Sequence, residues 1–321
     1  MHGALLIPWF KLEAWAIPLP FLIDELKIQP FGVLVAIGIF FGSRIAEWQG
    51  ERNGVPAQVV ADFLVYTIVI GLVACYFLNG VFYNTEDLIA ILKDPSQLFK
   101  RYLGLSSYGG FIGGVGAAFL FRHRRQMSLI VLGDIFCFAF PFAWVFGRSG
   151  CFVVHDHPGV VSNFFLAVDN YNLGGQPRHD LGLYEVIWSA FAIGLFLWLS
   201  KTPRRPGFFM ALLPLIYAPI RFFLDYLRET PQYHGDVRYF DLTPGQYASI
   251  LFTVVGLSVL WRIHRGPAAT LMLDGSDYLP VGPRDEPQHG AGEAATDPAT
   301  PAPRPTKAQA KARNRNSRRK R

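Results

Sequence analysis

The chain has 321 residues, of which 51% are hydrophobic, 15% aromatic and only 17% charged, with a mean hydropathy of +0.25. A soluble domain carries about 25% charged residues, so composition excludes an ordinary soluble enzyme. Three cysteines, Cys75, Cys137 and Cys151, exclude a disulfide framework.

In chain order, residues 1–27 come first. Their opening, "MHGALLIPWFKLEAWAIPLPFL", has no basic leader and is broken by prolines. It reads as an interfacial segment and not as a cleavable signal peptide, with Trp9 and Trp15 suited to the headgroup level. Apolar runs of membrane-spanning length then predict seven helices, at about 30–47, 59–82, 104–121, 128–147, 183–200, 207–227 and 245–262. The third is rich in glycine, "GGFIGGVGAAF", which permits close helix packing. Cys75 and Cys137 lie inside apolar runs and read as packing residues. The fold class expected is therefore all-α integral membrane: seven transmembrane helices over 28–264 and a disordered basic tail over 265–321. That tail is rich in Ala, Pro, Arg and Lys. It reads as a topology anchor on anionic lipid, or as a contact for a protein or RNA partner; no specific nucleic acid is expected.

Basic residues set the orientation. "RHRR" at 122–125, "KTPRRP" at 201–206 and the tail fall on one side if all seven spans are real. That side is expected to be cytoplasmic. The N-terminus and the segments 83–103, 148–182 and 228–244 then face outward.

Charges inside spans are costly, about 2.5–3.5 kcal/mol at the bilayer centre on insertion scales, so they need a reason. Tyr217, Arg221, Asp225 and Arg228 are spaced to share one helical face. An Arg221–Asp225 pair could be structural; two arginines against one aspartate leave a positive surplus that favours an anion. Arg148 ends the fourth span between Gly147 and Gly150. It could snorkel, or it could grip phosphate oxygens, with the glycines letting a ligand approach. In "GRSGCFVVHDHPG", residues 147–159, His155, Asp156 and His157 follow. They read as outer-loop hydrogen-bonding residues, or as a general base with its orienting carboxylate. Adjacent residues ligate one ion poorly, so no metal site is expected. Glu185, at a membrane edge, calls for a cationic partner, Arg148 or Arg221.

These pieces resemble the prolipoprotein diacylglyceryl transferase family across about residues 28–262. Its signature Gly-Arg-x-Gly-Asn-Phe is similar to Gly147-Arg148-Ser149-Gly150-Cys151-Phe152, with Asp156 in a later carboxylate place. Its His-Pro-x-Gln-Leu-Tyr-Glu resembles the stretch from His179 to Tyr184-Glu185, and its His-Gly-Gly resembles Tyr108-Gly109-Gly110. Tyr217, Arg221, Asp225, Arg228 and the pair Gly245-Gln246 match further motifs in order.

The resemblance implies a seven-helix enzyme of the bacterial inner membrane, with its N-terminus outside and C-terminus cytoplasmic. It would move the diacylglyceryl group of phosphatidylglycerol to the lipobox cysteine of a prolipoprotein and release glycerol phosphate, with no metal or diffusible cofactor. A monomer is expected. Catalysis would fall to Arg148, Arg221, Asp156, His155, His157 and Tyr108. Substrate binding would involve the two arginines with Tyr217, Asp225, Arg228, Gly109, Gly110, Cys151 and Glu185. The departures are Tyr108 for the family's histidine, Phe31 for a tyrosine, Cys151 for the signature asparagine, and Asp for Glu at two places; an arginine of the second span is missing. His155 or His157 is expected to replace the lost imidazole. A paralog with another acceptor, a phospholipid-binding protein without catalysis, and a transporter are the alternatives.

Overall fold

A chain crossing hydrocarbon must satisfy its backbone hydrogen bonds within itself, and the apolar runs do so as helices. The computed structural model describes residues 7–19, 23–96, 106–169, 174–229 and 238–275. An antiparallel hairpin opens it, β1 (Trp15–Leu19) against β2 (Ile23–Ile28), where the sequence pointed only to an interfacial segment. Five helices follow: α1 (Pro30–Arg52), α2 (Ala57–Tyr83), α3 (Thr85–Lys93), α4 (Ser107–Arg125) and α5 (Leu129–Val154). The short strands β3 (Pro158–Val161) and β4 (Arg178–Asp180) pair antiparallel. Then come α6 (Leu181–Leu199), α7 (Phe208–Leu224) with a 3-10 turn at Asp225–Leu227, and α8 (Pro244–Arg265).

Six of these, α1, α2 and α5 to α8, are long and apolar enough to cross a membrane by length and composition. The protein is an all-α integral membrane protein. α4 holds the third expected span, but Arg122, Arg124 and Arg125 occupy its last turn and shorten its apolar stretch.

Local chemistry sets the helix ends. Pro30 sits in the first turn of α1. Asp180 caps α6, accepting from the Leu183 N–H at 3.1 Å. Thr243 and Gln246 form a reciprocal capping box at the start of α8. α7 is capped from another helix: Asp134 of α5 accepts from the Phe209 and Met210 N–H groups at 2.6 and 3.0 Å.

Two apolar clusters hold the bundle. One joins α1, α2, α4 and α5 through Ala46, Val60, Phe63, Phe121 and Leu132. The other joins α5, α6 and α7 through Phe138, Ala192, Phe196 and Phe209. α1 lies so close to α5 that a side chain on Gly38 or Gly42 would strike Ala143 at 2.7 Å. Outward faces remain apolar, with Phe41, Val73, Phe191, Trp198 and Trp261 exposed, as a lipid-facing surface requires.

Three expectations change. α5 runs past 147 to Val154, so Arg148, Gly150 and Cys151 are helical and not loop residues. Gly150 serves packing: a Cβ there would meet the Phe31 ring at 2.9 Å. α7 stops at Leu224, and Arg228 is extended, with ψ 142°. Its backbone bridges to Gly159, so it leaves the helical face that Tyr217, Arg221 and Asp225 share. Residues just after α8 belong to the fold: Leu271 accepts from the Ser128 N–H at 2.6 Å, and the Leu273 N–H donates to Gln126 at 2.9 Å. The greater part of the tail expected at 265–321 lies outside the described residues.

Candidate functional site

The end of α5, the start of α6, the end of α7 and the start of α8 meet at one end of the bundle. Glu185, just past the first turn of α6, is fully buried there. Arg148 reaches it from α5, Nε to Oε2 at 2.9 Å. Trp144, one helical turn before Arg148, donates its indole N–H to the same oxygen at 3.2 Å, and Tyr217 of α7 donates its hydroxyl at 2.8 Å. The Arg148 guanidinium also lies 4.4 Å over the Trp144 ring, a cation–π contact that helps hold a charge away from water. Glu185 Oε1 is buried without a hydrogen-bond partner among the described residues.

Beside this group, Arg221 pairs with Asp225 one turn on, and the Thr243 hydroxyl donates to Asp225. Asp225 is fully buried. Gly245 leaves room for both: a Cβ there would crowd the Asp225 carboxylate and stand 3.0 Å from Arg221 Nη2. The Glu185 charge also acts on Arg221. The group therefore holds two arginines, Arg148 and Arg221, against two carboxylates; the positive surplus expected from Arg221 and Arg228 over Asp225 is lost because Arg228 leaves that face.

The histidines divide. His155 takes a left-handed backbone conformation, φ 50°, that ends α5. Its Nδ1 pairs with Asp180 at 2.7 Å, its Nε2 donates to the Phe10 carbonyl, and Trp9 stacks on its ring. With 3% of its side chain exposed, His155 is a clamp for the N-terminal arm. Trp9, expected at the headgroups, serves that clamp. His157 is more open, 22% exposed, and its Nδ1 lies 2.7 Å from Asp156.

The turn at His155 brings Asp156 and His157 back toward Cys151. The thiol sulfur, the carboxylate and the imidazole nitrogen lie within 4.8 Å of one another. Arg148 Nη1 is 3.8 Å from Cys151 Sγ. Burial pushes the Asp156 carboxyl up, but the His157 hydrogen bond and charge, with Cys151 and Arg148, outweigh it and hold it below its ordinary range. The sequence groups His155, Asp156 and His157 as hydrogen-bonding or proton-transfer residues; the structure groups Cys151 with the last two.

Tyr108 starts α4 and is 43% exposed. Gly109 is a packing residue, since a Cβ there would strike the Ala74 carbonyl of α2 at 2.7 Å. Gly110 faces Cys75 at ordinary contact distance. Neither glycine is brought to the arginine pairs by the packing described.

Trp144 and Thr243 escaped the sequence reading. Spacing carried a signal for each: Trp144 precedes Arg148 by four residues, and Thr243 precedes Gln246 by three. Asp180, as cap of α6 and partner of His155, and a buried pair between Arg178 and Glu229 were also missed. His179 and Tyr184 hydrogen-bond to each other. Burial lowers the His179 pKa and favours its neutral form.

Buried ion pairs reached from four helices, at one end of an apolar bundle, define a polytopic membrane protein with a polar site in its spans. The chain belongs to the prolipoprotein diacylglyceryl transferase family, which matches residues 18–262. Among its relatives is the phosphatidylglycerol--prolipoprotein diacylglyceryl transferase of Chromohalobacter salexigens, 29% identical over 255 residues, 78% of this chain and 93% of that one. The protein of the same name from Actinobacillus pleuropneumoniae is 30% identical over 78% of this chain and 96% of its own. That of Vibrio cholerae is 29% identical over 78% and 92%.

Proposed function

We propose that this protein transfers the diacylglyceryl group of phosphatidylglycerol to the lipobox cysteine thiol of a prolipoprotein, releasing glycerol phosphate. Family membership supports the reaction. The observation that carries its chemistry is the buried Arg148–Glu185–Tyr217 group, with Arg221–Asp225 alongside. Phosphate oxygens suit the guanidinium edges that Glu185 and Asp225 leave over, and Arg148 and Arg221 steady the charge that grows on the leaving phosphate. Glu185, Asp225, Tyr217 and Thr243 hold the arginines in place. The proton-accepting role falls to His157 with Asp156, because His155 has both nitrogens engaged. Tyr108 is assigned to the substrate's path and not to the proton transfer.

The reading includes α4 as a seventh span, which sets 122–125, 201–206 and the tail on the cytoplasmic side and the arginine site at the outer leaflet. The protein acts as a monomer in the bacterial inner membrane. Its basic tail lies on anionic lipid, and no nucleic acid takes part.

A second reading keeps the donor and changes the acceptor. It is favoured by one juxtaposition: Phe31, a departure from the family's pattern, packs on Gly150, the chain neighbour of Cys151, another departure. Purified protein, phosphatidylglycerol and a lipobox-cysteine peptide decide between them. A diacylglyceryl mass gain on the peptide, abolished by Arg148→Ala and by Arg221→Ala, is expected. Phospholipid binding without mass gain would leave the second reading.

A further inference from the structure

The residues just after α8 do more than trail from the last helix. Their backbone is tied to the turn before α5 through Leu271 and Leu273. With the end of α8 they enclose a cavity of about 570 Å³, a volume in the range of small-molecule sites. Ser128 and Ile130 line it from the start of α5, and Trp261, Arg262, Ile263 and Arg265 from the end of α8. We infer that this cavity binds the phosphate of an anionic phospholipid, in the leaflet opposite the Arg148–Glu185 group.

Charge points to an anion. No carboxylate lines the cavity, and neither Arg262 nor Arg265 is in an ion pair among the described residues. The C-terminal dipole of α8, equivalent to about half a negative charge, offsets only a fraction of two guanidinium charges. Its Ile263 carbonyl is already taken by Arg205, at 2.9 Å. Another wall is the N-terminus of α5, whose first-turn N–H groups favour a negative charge. Ser128 gives an independent sign of a ligand there. It is buried, 7% exposed, yet its hydroxyl does not cap α5 and hydrogen-bonds no described residue. An unused donor inside a basic cavity is what a phosphate oxygen would engage.

Position and walls select a lipid. Arg148 lies about 28 Å along α5 from Leu129, close to the roughly 30 Å of a hydrocarbon core. The cavity therefore sits at the headgroup level of the far leaflet. Ile130, Ile263 and the Trp261 ring give it apolar walls, and Arg265 lies 5.8 Å over that ring. Apolar wall and guanidinium side by side suit a glycerol backbone and its phosphate. The chain's own tail beyond residue 275 is rich in Lys and Arg, so the same arginines repel it. This is a built site, separate from the diffuse attraction of that tail for the bilayer, and it does not depend on the transfer reaction. It gives the segment after α8 a role, which is to fasten a lipid between the ends of α5 and α8.

Native mass spectrometry of the full chain, delipidated in detergent and titrated with phosphatidylglycerol, reads the site. The lipid is expected to fill two sites, the reaction site at Arg148 and this one. Arg262→Gln/Arg265→Gln is expected to weaken one of them at least about tenfold, since each guanidinium gives charge-assisted hydrogen bonds. A single bound lipid that this double variant removes upholds the cavity and counts against the transfer reading instead. Ser128→Ala is expected to weaken the same lipid several-fold, and phosphatidylethanolamine, with no net charge, to bind at least about tenfold more weakly. Ala268→Trp, at the exposed rim of the cavity, fills it without touching a charge and is expected to evict the lipid as well; it carries the test if the double variant fails to fold. Arg122→Gln/Arg124→Gln removes the same charge from the end of α4, outside the cavity, and is expected to change affinity less than about twofold. An equal loss in that control, or no loss in Arg262→Gln/Arg265→Gln, overturns the site. Inorganic phosphate that displaces the lipid at equal concentration overturns the lipid assignment.

Discussion

Asp134, near the start of α5, and Glu185, beside its far end, are both carboxylates set within candidate membrane spans. Asp134 accepts from two backbone N–H groups of α7. Glu185 takes an arginine, a tyrosine and a tryptophan, all through side chains from two neighbouring helices. Backbone donors at a helix N-terminus cannot turn away, so Asp134 makes a joint. Side-chain donors can exchange one partner for another, so Glu185 sits in a place where a ligand's oxygens can compete. Cost alone does not distinguish a site from a joint in the membrane; the kind of partner does.

The comparison breaks hardest at Arg148. Arg148→Ala leaves Glu185 buried without its charge partner, which costs about 3–5 kcal/mol of stability. Loss of a donor to the developing charge is expected to lower transfer about 10²–10³-fold. Arg148→Met combined with Glu185→Leu recovers the melting temperature in detergent but not the transfer. Recovery of both would make the pair a joint like Asp134.

Asp134→Ala comes next, at about 1–3 kcal/mol, because two helix N–H groups lose their acceptor. Thermal unfolding reads this loss, while transfer per folded molecule stays within about twofold. Asp134→Asn restores most of the stability, since a neutral oxygen still caps. A large activity loss in Asp134→Asn would erase the contrast.

Trp144→Phe sharpens it. The ring stays under Arg148 while the bond to Glu185 goes, a change of about 1 kcal/mol, read as a several-fold fall in turnover with little change in melting.

Smallest is a pH effect at His179. Its folded pKa is depressed, so folding favours the neutral ring; the associated stability is present above the unfolded value of about 6.5 and is lost as pH falls through the folded pKa. His179→Gln is expected to flatten that acid-side decline in melting temperature. An unchanged slope would mean that the titration lies elsewhere.

The spans and the arginines were legible because hydrocarbon thickness and charge cost act on sequence directly. Spacing placed Tyr217, Arg221 and Asp225 together, and charge balance named Arg148 or Arg221 as the partner for Glu185, of which the structure takes Arg148. Arg228 was misplaced because a helix pattern does not announce a 3-10 turn whose carboxylate is held by Thr243, far along the chain. The regrouping of Cys151 with Asp156 and His157 depends on one left-handed residue, His155; positive φ is uncommon at any single non-glycine position, even though histidine is enriched there. Asp134 looked like part of an apolar run because its partners are backbone groups, which every sequence has.

The N-terminal clasp has a consequence for biogenesis. Phe10 meets His155 across 145 residues of chain, and the imidazole is itself held by Asp180. At about 5–20 residues per second of synthesis, the arm waits roughly 10–30 s for its partner to be made. During that interval Trp9 and Phe10 have no aromatic neighbours to cover them from the later helices. This end of the bundle thus cannot close until α5 and Asp180 are made, and a chain arrested before residue 180 would carry its N-terminal arm unfastened.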